Sequence, residues 1–259
     1  MKRNRKENCR GRKAVRGSFV SYQMKYQHIV EGIFLSRPNR FIAKVKIGGK
    51  EETVHVKNTG RCRELLLPGA RVYLEYSPKP GRKTSYDLIG VYKEGLGLVN
   101  MDSQAPNAVV GEWLMRQQAG AAAQETAVFR QIGKIKPEFT YGQSRIDFFF
   151  EADGKDCLME VKGVTLERER IAYFPDAPTQ RGVKHIQELE MALEKGYDCY
   201  VAFVIQMPGI CEICPNDETH PAFGEALRAA SRAGVRVLAL GCEIGEDSLD
   251  ICRVREMWY

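Results

Sequence analysis

Nothing in the 259-residue chain approaches the ~20 consecutive apolar positions that a membrane-spanning helix needs. The opening residues, MKRNRKENCRGRKAVRGSF, are basic and carry no apolar core of the secretory kind, so the sequence predicts a cytoplasmic protein without membrane partners. Cysteines number eight but are scattered, which suits reduced thiols and excludes a small disulfide scaffold. One cluster stands out, Cys211-Glu-Ile-Cys214 with His220 downstream. No second CxxC accompanies it, so a four-ligand zinc site lacks half its ligands and a reducible loop with two thiols is the expectation. Internal repeats are absent, and so is any helix-turn-helix or other motif that reads base edges.

What is present is charge, unevenly placed. The net charge is +6, yet residues 1–23 hold eight Lys/Arg against one Glu and residues 24–95 hold fourteen against seven. Residues 96–259 reverse the balance, with seventeen Lys/Arg against twenty-five Asp/Glu. A basic module followed by an acidic one suits capture of phosphate beside a cation-binding site. Residues 1–23 read as a disordered basic arm, with Met24 an alternative start.

Between residues 24 and 95 the pattern is short β-prone runs: HIVEGIFLS, RFIAKVKIG, ETVHVKN, ARVYLEYS and SYDLIGVY. SRPN, GGKE and SPKPGRK break them as turns. Five short strands in so short a stretch predict a small barrel of the oligonucleotide/oligosaccharide-binding (OB) kind, with GRCRELLLPG as its short helix. Arg37, Arg40, Asn58, Arg61, Arg82 and Lys83, with Phe41, Tyr73 and Tyr76 nearby, are the candidate nucleic-acid-binding residues: cations for the backbone, rings for the bases.

From residue 96 onward the period changes. APNAVVGEWLMRQQAG predicts an amphipathic helix with Ala108, Val109, Trp113 and Met115 turned inward. Strands follow at KPEFTYG, SRIDFFFE and DCLMEVKG, the last two joined by an Asp153-Gly154 turn. Helix TQRGVKHIQELEMALEKG, strand CYVAFVIQ, helix PAFGEALRAASRAG and a final buried strand VRVLALGC complete a mixed three-layer α/β domain over residues 96–259.

Three charges interrupt the apolar strands of RIDFFFEADGKDCLMEVKG: Asp147, Glu160 and Lys162. Burying an unpaired charge is costly. Glu160 and Lys162 are two apart and share a face, and Asp147 reaches that face if the neighbouring strand pairs in register. Two adjacent carboxylates stay ionised only with a cation between them. Mg²⁺ or Mn²⁺ suits such hard oxygen ligands, with Lys162 placed to orient the attacking water or stabilise charge on phosphate. A surface salt bridge between Glu160 and Lys162 is the competing reading of the same spacing. The lone Asp followed by Glu-x-Lys on apolar strands, with a helix before and after, resembles the PD-(D/E)xK nuclease superfamily.

The wider stretches SRIDFFF, EVKGVTL, FPDAPTQRGVKHIQEL, HVKNTG and APNAVVGEWL resemble the sugar fermentation stimulation protein A family over nearly all of residues 24–259. That resemblance implies DNA binding, with RNA as a second candidate partner, an OB-like N-terminal domain and a PD-(D/E)xK restriction-endonuclease-like C-terminal domain. It implies Asp147 and Glu160 as metal ligands, Glu112 as an acid completing the metal site, and Lys162 as the catalytic lysine. Arg181 and His185, four apart on one helix face, would hold the scissile phosphate or the carboxylates; Glu138 is a weaker acidic candidate. The sequence departs from the family pattern in lacking a cysteine in HVKNTG, in Gly163 after EVK and in Gln180. The implied activity is phosphodiester hydrolysis on DNA bound largely without sequence specificity. The alternative is a non-catalytic DNA-binding regulator of sugar (maltose) metabolism with a vestigial site. Oligomeric state is left open, a dimer included.

Overall fold

The computed structural model of the chain describes residues 24–58, 60–78 and 80–259. The basic segment 1–23 lies outside the described residues. In chain order, a short β1 (Met24–Lys25) precedes β2 (Ile29–Asn39), β3 (Ile42–Ile47), β4 (Lys50–Val56), β5 (Arg71–Tyr76), β6 (Tyr86–Lys93) and β7 (Gly97–Asn100). Helix α1 (Ala105–Gln118) leads to β8 (Ile132–Tyr141), β9 (Ser144–Ala152) and β10 (Lys155–Val164). Next come β11 (Leu166–Arg168), β12 (Ile171–Phe174), α2 (Gln180–Leu193), β13 (Asp198–Pro208) and β14 (Ile213–Pro215). The chain ends with α3 (Pro221–Ala233), β15 (Arg236–Ile244) and β16 (Ser248–Met257).

Each of the five β-prone runs of the basic module forms a strand. They are ordered β4-β3-β2-β5-β6, and β4 closes on β6 by parallel pairing of His55 with Asp87 and Val56 with Leu88. Closure removes the sheet edges, which is how a small antiparallel barrel protects its backbone polar groups. Alternate residues such as Val54 and Val56 of β4 and Val45 of β3 fill the interior. Strand β7 pairs antiparallel with β6, so the barrel's sheet runs through Asn100. The helix expected at GRCRELLLPG does not form. Leu66 N–H reaches the Cys62 carbonyl at 3.0 Å, a single turn. Pro68 and the left-handed Gly69 (φ +89°) stop it there.

The second unit is a seven-stranded mixed sheet, β1-β16-β15-β13-β10-β9-β8, with helices on both faces. At its centre β10, β13 and β15 run parallel. Strands buried on both faces read as continuous apolar runs, as in CYVAFVIQ. On one face, Val109, Val110, Trp113 and Leu114 of α1 pack with Phe148, Phe150 and Met159. On the other, Ile186 and Leu189 of α2 and Phe223 of α3 pack with Leu158 and Phe203. Two expectations are corrected. Ala108 and Met115 are exposed, because the stripe that α1 buries runs Pro106, Val109, Val110, Trp113, Leu114, Gln117. VRVLALGC is not the last strand: β16 pairs antiparallel beyond it, its alternation blurred by Asp250, Arg253, Arg255 and Glu256. Among the described residues no helix is long and apolar enough to cross a membrane.

Barrel and α/β unit share one apolar cluster, which extends from Phe34 and Val99 to Ile205 and Phe223. Buried polar groups lock the seam. Gln206 Nε2 donates to Asn100 Oδ1 at 2.8 Å and to the Asp102 carbonyl at 3.0 Å. Lys57 pairs with Asp102 at 2.6 Å, where the Asp102 side chain is 1% exposed. The seam fixes the barrel's rim beside the end of β10 that carries Glu160 and Lys162.

Candidate active site

Strands β9 and β10 pair from Ala152 opposite Lys155, across the Asp153-Gly154 turn, to Phe148 opposite Met159. The ladder stops there, and one further step would place Asp147 against Glu160. The Asp147 side chain takes over from the ladder: its Oδ2 accepts the Val161 backbone N–H at 2.7 Å. Its Oδ1 accepts Asn107 Nδ2 at 2.7 Å from the first turn of α1. The carboxylate is thereby held in the gap between two parting strands. Burial and the neighbouring Glu160 carboxylate push the Asp147 carboxyl above its ordinary value, against the pull of Val161, Asn107 and Lys162.

Glu160 is 2% exposed. Its Oε1 accepts Lys162 Nζ at 2.5 Å and is also bonded to His185 Nδ1. Burial raises this carboxyl, but the hydrogen bonds from His185 and Lys162, together with the lysine's charge, outweigh it and hold the group below its ordinary value. Glu160 Oε2 is buried with no hydrogen-bond partner. An ionised, dehydrated oxygen without a donor is an uncompensated acceptor, and such atoms call for an explanation. His185 sits one turn into α2, whose start is capped by Thr179 Oγ1 accepting Gly182 N–H at 3.0 Å. Arg181 Nε donates to His185 Nε2 at 3.3 Å. This bond needs a lone pair on Nε2, so the ring carries its proton on Nδ1 and donates it to Glu160. Arg181, His185 and Glu160 thus form one relay, with Lys162 on its other side.

Glu112 does not join this group. Its Oε2 accepts the Met24 backbone N–H at 2.6 Å, and the charges it feels are Arg116 and Asp250 at the β1–β16 edge. Burial raises its carboxyl and Asp250 adds to the rise, with the Met24 N–H and Arg116 only partly offsetting it. Glu138 pairs with Arg145 Nε at 2.5 Å and, with Asp147, lines an open cavity of about 460 Å³ under α1. Asn107 was missed by the sequence reading. Its signal was present: an amide one residue after the helix-starting Pro106, on the helix that meets β9. Gly163 also acquires a reason. A Cβ there would come within 2.7 Å of Pro106 and 2.6 Å of Gln206 Oε1, so β10 approaches α1 and β13 too closely for a side chain.

On the barrel the candidate cations divide. Arg37 is committed to its own backbone: its terminal nitrogens donate to the carbonyls of Asn58, Gly60, Arg61 and Arg40 at 2.6 to 2.8 Å. Arg40, Arg61 and Lys83 are exposed, and the Arg40 guanidinium lies 4.9 Å above the Phe41 ring. Arg82 is ion-paired with Asp87, and Asn58 Oδ1 accepts the Gly60 N–H at 2.7 Å. Phe41 is 45% and Tyr76 40% exposed, whereas Tyr73 is 3% exposed and belongs to the interior. Cys214 lies in β14, where burial raises its thiol, and Cys211 just precedes that strand.

Among the described residues no group of three or more His, Cys, Asp or Glu side chains is arranged to hold a metal. The candidate donors at this site are limited to the Asp147–Glu160 pair. Two protein carboxylates with water and phosphate completing the shell is the arrangement magnesium takes. The uncompensated Glu160 Oε2 and the mutual field of the two carboxylates fit a hard divalent cation.

Comparison with known proteins agrees with both halves of the fold. The family model described as "SfsA N-terminal OB domain" matches residues 35–101, and "Sugar fermentation stimulation protein RE domain" matches residues 104–248. A sugar fermentation stimulation protein homolog of Desulfitobacterium hafniense is 56% identical over 227 residues, covering 88% of this chain and 95% of the relative. A homolog of Clostridium beijerinckii is 49% identical over 228 residues, covering 88% and 96%. The solved structure of Pyrococcus furiosus SfsA in complex with Ca²⁺ superposes with a TM-score of 0.74 at 27% identity, covering 91% of this chain and 98% of that one. The chain belongs to the sugar fermentation stimulation protein (SfsA) family.

Proposed function

We propose that the chain binds nucleic acid through its barrel and hydrolyses phosphodiester bonds at Asp147, Glu160 and Lys162 with a divalent cation. The observation that carries the reading is the buried Glu160 Oε2, ionised and without a donor beside a second carboxylate. The Ca²⁺ bound by the Pyrococcus relative supports the same preference for a hard cation.

Asp147 and Glu160 would hold the cation, which when bound polarises a phosphate oxygen and makes coordinated water more acidic. Lys162, 15% exposed and tethered to Glu160, lies where its ammonium can orient that water or meet the charge growing on phosphate. Asn107 and the Val161 N–H keep Asp147 in place, and the Arg181–His185 relay keeps Glu160 ionised. Hydrolysis adds the water oxygen to phosphorus and breaks the bond to one sugar oxygen, which takes up a proton. The exposed barrel cations supply sequence-independent affinity, which falls as salt rises.

The test is cleavage of labelled DNA and RNA with Mg²⁺, Mn²⁺ or EDTA. Hydrolysis is expected with metal only, and Lys162→Ala should lower its rate about 100- to 1,000-fold, the usual effect of removing a group that stabilises developing charge. Binding with no metal-dependent cleavage of any substrate would leave the chain a non-catalytic nucleic-acid-binding regulator.

A further inference from the structure

Three cavities meet along the rim of the barrel. One, about 420 Å³, is bounded by Phe41, His55 and Arg82 and shares Ser103 with a second of about 360 Å³ at the seam. The seam cavity ends on Gly163, the neighbour of Lys162, and shares Gly60 with a third of about 440 Å³ walled by Arg40, Arg61 and Arg63. Together they make one groove over the loop that follows β4, and its seam basin reaches Gly163 near the end of β10.

The Phe41 basin is a built site. Asp87, 6% exposed, takes a hydrogen bond from Arg82 and shares one of 2.7 Å with His55 Nδ1, so both side chains are fixed from behind. Arg82 Nη1 also donates to the Ser77 carbonyl at 3.3 Å, and His55 Nε2 and the other N–H groups of Arg82 lie next to the Phe41 ring. A ring 45% exposed, with the Arg40 guanidinium 4.9 Å over it and Arg82 nearby, offers what a nucleotide needs: a stacking surface for the base and donors for its phosphate. Each basin falls within the ~300–1,000 Å³ of ordinary small-ligand pockets, enough for a nucleotide but too small for a duplex.

Three carboxylates line the groove, Glu75 and the ion-paired Asp87 in the Phe41 basin and Asp176 at the seam. Against a duplex, which turns phosphates outward on both sides, they would repel. Against a single strand they meet base edges, whose amino and imino groups are donors with no other partner. Gly60 narrows the choice further. A Cβ there would lie 2.8 Å from both Asn58 Oδ1 and Asp176 Oδ2, so barrel and α/β unit come into near contact at this point.

Resting on the nucleic-acid reading above, we propose that this groove holds a single, unpaired nucleic-acid strand. One base stacks on Phe41, and the chain runs past Ser103 to Gly163, on the strand that carries Lys162. The substrate class is therefore single-stranded nucleic acid, and duplexes are acted on only where they open.

The test is binding in EDTA, read by fluorescence anisotropy with a labelled oligothymidine and with a blunt duplex. The single strand should bind at least about tenfold more tightly. Phe41→Ala should weaken it about tenfold, within the range of stacking losses seen on alanine substitution, and Phe41→Tyr should restore it. Thermal melting should not change, because the ring is already half in solvent. Equal or tighter duplex binding, or a Phe41→Ala effect below about twofold, overturns the proposal, since stacking would then contribute nothing. The outcomes separate from those above: Phe41-dependent strand binding without cleavage removes the hydrolase reading alone, while absence of any nucleic-acid binding removes both.

Discussion

The barrel and the α/β unit handle positive charge in opposite ways. On the barrel, Arg37 is bound to four carbonyls and Arg82 to one carboxylate, while Arg40, Arg61 and Lys83 stand in water. In the α/β unit two donors, Lys162 and His185, converge on a single oxygen of Glu160, and the other oxygen has none. Charges in water interact weakly and are screened, so they suit reversible attachment to a polyanion. Charges out of water interact strongly, and an imbalance among them persists only if something else completes it. On the proposed function, the barrel would serve attachment and the sheet chemistry.

The largest test of this contrast is His185→Ala. It removes one of the two donors that keep Glu160 ionised and leaves a buried charge half compensated, at a cost of about 3 kcal/mol in urea unfolding. Cleavage should fall with it, while oligonucleotide affinity stays within about twofold, because rim charges are separate from the sheet. A loss of affinity matching the loss of cleavage would mean that the two regions do not divide the work.

Next is a pair of arginines within the barrel itself. Arg37→Ala deletes four charge-assisted hydrogen bonds, three to the Asn58–Arg61 loop and one to the Arg40 carbonyl, and should cost about 2–3 kcal/mol of stability. Arg61→Ala should leave stability within ~0.5 kcal/mol and reduce the slope of log affinity against log salt by about one. If Arg37→Ala instead behaves like Arg61→Ala, with a flatter salt slope and an unchanged urea midpoint, the carbonyl latch has no energetic weight.

Most of this frame was legible in the chain. Five short runs separated by Gly and Pro turns marked the strands of the barrel, and the register of β9 with β10 followed from the Asp153-Gly154 turn. Asp147, Glu160 and Lys162 were visible because a charge inside an apolar run violates the rule that sorts polar from buried. The same rule, applied to His55 in ETVHVKN and Asp87 in SYDLIGVY, marks the pair of half-exposed His55 and buried Asp87 at the Phe41 basin. Other features depend on distance across the sequence. Whether Arg37 meets phosphate or its own backbone is decided by a loop more than twenty residues later. Glu112 shares α1 with Asn107, but the helix turns one toward β1 and the other toward Asp147, and no local pattern states which. β16 was obscured because a strand half covered on one face tolerates charge at nearly every second position.

The smallest expected effect concerns Asp147, and its sign is the informative part. The folded-state pKa of this carboxyl is raised, so its ionised form is disfavoured in the fold relative to the unfolded chain. That penalty is fully present above the folded pKa and is relieved as pH falls through it towards the unfolded value of about 3.9. Asp147→Asn removes the charge while keeping an oxygen for the Val161 N–H. In EDTA at neutral pH the variant should be more stable than the parent, by about 1 kcal/mol or a few degrees in Tm, the common size of such gains. The gap should close as the solution is acidified. Glu160 runs the other way: its lowered pKa gives stability that is present above its unfolded value of about 4.3 and lost as pH falls through the folded one. That loss is common to both proteins and leaves the sign of their difference intact. Cleavage by the variant should be abolished. A stabilised, inactive Asp147→Asn would show that the fold tolerates this carboxylate for chemistry rather than for its own stability; a destabilised one would mean that the bonds from Asn107 and Val161 outweigh burial and the repulsion of Glu160.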